Sequence, residues 1–103
     1  MLQACLNGAR GHDYHPAVPL TPEALARDAA ACLAAGASEF HVHPRDAGAL
    51  ESFAADDIGA ALKAIRASVA SVPVGISTRE GIMADPAARQ RAFQAWKILP
   101  EYV

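Results

Sequence analysis

The chain lacks any run of ~18 apolar residues, which excludes a transmembrane helix. It opens without a basic segment, an apolar run and a small-residue cleavage site, so no signal peptide is expected. It lacks a basic cluster: the formal net charge is -2 and the Lys and Arg residues are scattered. That argues against partnership with nucleic acid or an anionic membrane surface. There are only 2 cysteines, Cys5 and Cys32, without metal-type spacing. They are expected as buried free thiols, one in a strand and one in a helix, of a cytoplasmic protein. There is no G-x-G-x-x-G, phosphate loop, nucleophile elbow or C-x-x-C, and Gly8-Ala9-Arg10-Gly11 is too short a match to imply a nucleotide. No low-complexity stretch marks a second domain.

What is present is a globular composition of 103 residues, 52% hydrophobic and 19% charged, enough for one small domain. Leu2 to Leu6 is a short apolar run that stops at Asn7-Gly8, and it predicts the first strand. A polar loop follows over residues 8 to 20. Thr21-Pro22-Glu23 then combines a cap, a proline at the first helical position and an acidic first turn. Leu25, Ala29, Cys32 and Leu33 recur at helical spacing, and Gly36 ends that helix. Ile58, Leu62, Ile65 and Val69 mark a second helix. Pro73 to Ser77 predicts a third strand. Asp85-Pro86 opens a third helix carrying Phe93 and Trp96, read as packing residues, which Leu99-Pro100 closes. Tyr102-Val103 begins a fourth apolar run. Strands recurring every ~30 residues with helices between them predict a parallel α/β sheet. Both an open doubly wound sheet and the first part of a (β/α)8 barrel fit this order, and a barrel needs ~200 residues or more.

The stretch with most chemistry is Phe40-His41-Val42-His43-Pro44-Arg45-Asp46. Side chains alternate along a strand, so His41 and His43 face one way while Phe40 and Val42 face the other. Pro44 ends the strand. The histidines therefore sit at its carboxyl end, where parallel folds place their chemistry. Two neutral imidazoles there can clamp a divalent metal, with zinc the best match. The same two histidines can also serve as hydrogen-bonded structural residues. A catalytic zinc takes three protein ligands plus an open position, and this motif supplies two. Arg45 and Asp46 are expected to pair and hold their loop rather than to take part in catalysis. His15 and Pro16 are expected to shape theirs. His12 and Asp13 can reach a metal, but a solvated loop is preferred. Ser77 ends the third strand, where serine most often bonds nearby backbone.

Together these residues resemble a family. Asn7-Gly8-Ala9-Arg10, His15 to Pro22, Ala35-Gly36-Ala37, His41 to Asp46 and Pro73 to Thr78 are similar, in order and spacing, to the β-keto acid cleavage enzymes, which include 3-keto-5-aminohexanoate cleavage enzyme. The resemblance implies a zinc-dependent TIM barrel, with residues 1–103 supplying its first three βα units and the start of strand four. It implies exchange of a β-keto acid with acetyl-CoA, giving acetoacetate and a new CoA ester. It implies His41 and His43 as zinc ligands and Ser77 as a substrate-binding residue, within a homo-oligomer in complete form. A glutamate ligand and the catalytic aspartate and arginine come from late strands, so no catalytic residue is expected before Val103. The short chain alone is expected to be inactive, and its cut sheet edge to make it fold poorly or associate. Two departures stand out. Arg10 occupies the place of a glutamate found in some members. Arg79 follows Ser-Thr where the family usually has glycine; a bulky charged side chain there can block substrate, change its preference, or mark a decayed or divergent copy. The competing readings are a truncated, non-catalytic interaction protein and a metal-dependent hydrolase.

Overall fold

Proline and a short polar cap fix two of the helix starts in the computed structural model, which describes residues 1–103. The elements run β1 (Gln3–Cys5), α1 (Pro22–Ala34), β2 (Glu39–Val42), α2 (Ala55–Ser68), β3 (Val74–Ile76) and α3 (Pro86–Gln94), with a single 3-10 turn at Glu80–Ile82 before α3. Thr21 Oγ1 accepts the Ala24 N–H at 3.2 Å, and an Asp85 carboxylate oxygen accepts the Ala88 N–H at 3.0 Å. Each proline follows its cap, where a missing N–H costs nothing. α2 has no side-chain cap, but Asp56 and Asp57 place negative charge at its positive end.

The strands are all parallel, and their spatial order β1-β2-β3 is their sequence order. There is no reversal of the kind that makes the switch point of a doubly wound sheet. The backbone of Tyr102 makes a parallel bridge to Gly75 on the free side of β3, so the last apolar run continues the same winding. The chain is thus an α/β unit with a three-stranded parallel sheet and three α-helices. No helix is long and apolar enough to cross a membrane.

The two sheet faces are unlike. Phe40, Val42, Val74 and Ile76 point toward α1 and α2 and are fully buried with Leu25, Ala29, Ile58, Leu62 and Ile65. The opposite face carries Gln3, Cys5, Glu39, His41 and Gly75, which the strand register sets in rows. Tyr102 lies flat on that face over Gly75, where any β-carbon would run into its ring. Its hydroxyl donates to Phe40 O at 2.6 Å and accepts from Gln3 Nε2 at 2.8 Å. The phenol therefore crosses the open face from Gly75 to Gln3.

Three expectations change. Cys5 is exposed and Cys32 only partly buried, because Cys5 lies on the open face of an edge strand, level with His41. α3 stops at Gln94, so Trp96 lies beyond it. Its indole N–H donates to Phe53 O at 2.7 Å, and its ring stands edge-on to Phe93 with centroids 5.0 Å apart. The aromatic stripe is packing, as expected, but around a loop phenylalanine. Val69 follows α2 instead of lying in it, and stays buried.

Glu101 staples the chain end to the sheet. It accepts from Val74 N–H at 2.8 Å and from Arg66 Nη2 at 2.9 Å, while Arg66 also bonds Leu99 O. Burial pushes the Glu101 carboxyl up, but the bonds from Val74 and Arg66 outweigh it and hold the group below its ordinary value. A depressed folded-state pKa means stability that is present above the ordinary carboxylate range and lost as pH falls through the lower folded value. Glu101→Gln is therefore expected to be less stable than the parent at neutral pH and to match it in acid. Because the carboxylate is partly exposed, the difference stays below about 1 kcal/mol. Urea midpoints at the two pH values check this; a gap that does not close in acid counts against it.

Candidate functional site

The site grows from the carboxyl end of β2. His41 and His43 share the open face, as their spacing predicts, with ring centroids 5.2 Å apart and planes nearly perpendicular. His41 is half-buried and His43 buried. Burial and the neighbouring His43 lower the His41 pKa below its ordinary value, which keeps that ring neutral and able to donate a lone pair. Val42 pairs with Ile76, so Ser77 comes level with His43 one step further on. Ser77 is buried, and its hydroxyl accepts the Arg79 N–H at 3.4 Å. As an acceptor there, its own O–H proton remains free to donate.

Backbone clamps hold this strand end. Asn7, buried just after β1, accepts His43 N–H at 2.9 Å through Oδ1. Its amide nitrogen donates to His43 O at 2.9 Å and Pro19 O at 3.1 Å. Arg45 does not pair with Asp46. Its guanidinium donates to the carbonyls of His43, Ala49, Gly8 and Arg10, tying the loops after β1 and β2 together. Asp46 instead accepts from Gly48 N–H and Leu50 N–H, which turns its own loop back on itself. Loop-holding was expected of both residues; each does it separately, through backbone.

That folded-back loop delivers a residue the motif did not reveal. Arg45 and Glu51 form an isolated antiparallel bridge. Glu51 Oε1 then meets His43 Nδ1 at 2.5 Å, with both side chains only 10% exposed. Arg79 Nε donates to the same oxygen at 3.1 Å, and its Nη2 bonds the other oxygen. Burial pushes the Glu51 carboxyl up, yet the bonds from Arg79 and His43 prevail and hold it below its ordinary value. Glu51 is thus an anion at neutral pH and can only accept, so Nδ1 of His43 carries the proton. Arg79, read as able to block substrate or change its preference, is turned onto Glu51. Arg89 fixes the turn that bears it, donating to the carbonyls of Thr78, Arg79 and Met83.

The other candidates lie apart. His12 bonds Val18 O, and His15 Nδ1 accepts the Ala17 N–H, so both shape the exposed first loop, with Asp13 exposed beside them. Arg10 stacks on Tyr14, 4.5 Å from the ring centre. A cavity of about 320 Å³ opens beside the site, lined by Asp46, Glu51, Phe53, Ile82 and Met83 among others. No three His, Cys, Asp or Glu residues cluster closely enough to hold a metal by themselves.

The imidazole pair at a parallel strand end, the serine level with it and the loop clamps all fall within the motifs noted in the sequence. A family model described as beta-keto acid cleavage enzyme matches residues 1–103. The match spans every element that builds the site, and the chain belongs to the beta-keto acid cleavage enzyme family.

Proposed function

We propose that this chain forms the opening βα units of a (β/α)8 barrel that exchanges an acyl group between a β-keto acid and acetyl-CoA, yielding acetoacetate and a new CoA ester. The observation that carries this reading is the imidazole pair on the open face at the end of β2, in a chain of that family. The sequential parallel winding supports the barrel. The donor set suits zinc: His41 is held neutral, and His43, with Nδ1 bound to Glu51, keeps Nε2 as its coordinating nitrogen. In this reading His41 and His43 hold the metal and a carboxylate from a later strand completes the three-donor set. Bound zinc supplies Lewis-acid polarisation of the keto group. Ser77, with its proton free, donates to a substrate oxygen beside the metal.

The test is a coupled assay for acetoacetate and CoA ester across a panel of β-keto acids. A form extended through the later barrel strands is expected to turn over, and to lose turnover in its His41→Ala and His43→Ala variants. Residues 1–103 alone are expected to give none. Undiminished turnover in both histidine variants sinks the reading.

A further inference from the structure

We propose that Glu51 is the positioning residue for His43 and that Arg79 locks Glu51, so that the loops after β2 and β3 form one orienting unit; this rests on the zinc reading above. A carboxylate that binds Nδ1–H fixes the histidine tautomer and its ring direction, and makes the ring a better donor. Glu51 has the required geometry and burial, at 2.5 Å from Nδ1 and 10% exposed. A largely buried carboxylate with one partner is free to swing about that bond. Arg79 removes that freedom by engaging both oxygens, one of them the oxygen that meets His43. Its side chain is 45% exposed, so as a surface pair it adds little stability by itself. Its contribution is geometric, and it depends on Arg89 holding the turn beneath it. Arg79 is thereby an orienting residue rather than a block to substrate.

Two measurements separate this inference from the reading it rests on. The first needs no metal: nitrogen NMR of the His43 ring is expected to show the Nδ1–H form in the parent chain. In Glu51→Gln the amide both donates and accepts, so the tautomer is no longer dictated and a mixture is expected. Arg79→Met keeps the carboxylate and is expected to keep the tautomer. The second is zinc titration against a competing chelator. Glu51→Gln is expected to bind about 10–100-fold more weakly, and Arg79→Met to lose less. Circular dichroism confirms that each variant is folded. Unchanged tautomer and affinity in Glu51→Gln overturn the positioning role and leave the zinc reading standing. A parent with His43 in the Nε2–H form overturns it without any variant, even if Glu51→Gln fails to fold. A parent whose zinc binding ignores His43→Ala fails the zinc reading, while the metal-free tautomer still decides whether Glu51 directs the ring.

Discussion

His41→Ala and His43→Ala are each expected to weaken zinc binding by at least about tenfold, since losing a ligand costs no less than losing its supporting partner. The two rings already share one face, 5.2 Å apart, so they can meet an ion without moving the backbone. Two neutral donors still leave the dication's charge uncompensated, and no third donor joins them in residues 1–103. Binding by this chain is therefore expected to be weak, and tighter in a form extended through the later strands. Protons compete for the same nitrogens, so affinity falls as the solution is acidified. Burial holds His41 neutral further into acid than an ordinary imidazole, which puts its loss of zinc at lower pH. Zinc titration of the parent, both variants and the extended form checks this. Equal affinity in the parent and both variants makes the histidines structural residues. Equal affinity in the short and extended forms moves the third donor into these residues.

How much of this was legible depends on how local the signal was. The cap at Thr21, the stop at Pro44 and the alternation of Phe40, His41, Val42 and His43 are written in adjacent residues, and the structure follows them. Those signals place the histidines on the open face. Glu51 was not legible, because it reaches His43 only after the Asp46 turn folds the loop back, and nothing in its neighbours announces a half-buried, paired glutamate. Arg79 was visible as a departure, but its partner lies 28 residues away in sequence. The end of α3 and the exposure of Cys5 are set by tertiary facts: an indole that needs a carbonyl, and a strand that lies at an edge.

Asn7→Ala is expected to destabilise the chain by about 2–4 kcal/mol, because it strands buried backbone groups that cost about 1–3 kcal/mol each when unpaired. Asn7 is the sole side chain that both accepts from His43 N–H and donates to His43 O. Without it, His43 N–H and Pro19 O lose their partner, while His43 O keeps Arg45. The damage is directed: it frees the end of β2 that carries the site, so zinc affinity falls along with stability. Asn7→Asp separates hydrogen bonding from bulk. One of its oxygens still accepts His43 N–H, but the other faces the carbonyls of His43 and Pro19 with no proton to offer. At neutral pH the aspartate is expected to do no better than alanine. In mild acid its carboxyl gains a proton and can donate, so the Asp variant is expected to recover relative to the Ala variant as pH falls. Urea unfolding of the three proteins across pH measures this, with an unchanged dependence on denaturant showing that stability alone has moved. A loss in Asn7→Ala within about 0.5 kcal/mol of zero, the range of an ordinary surface change, would show that water or a shifted loop replaces the clamp.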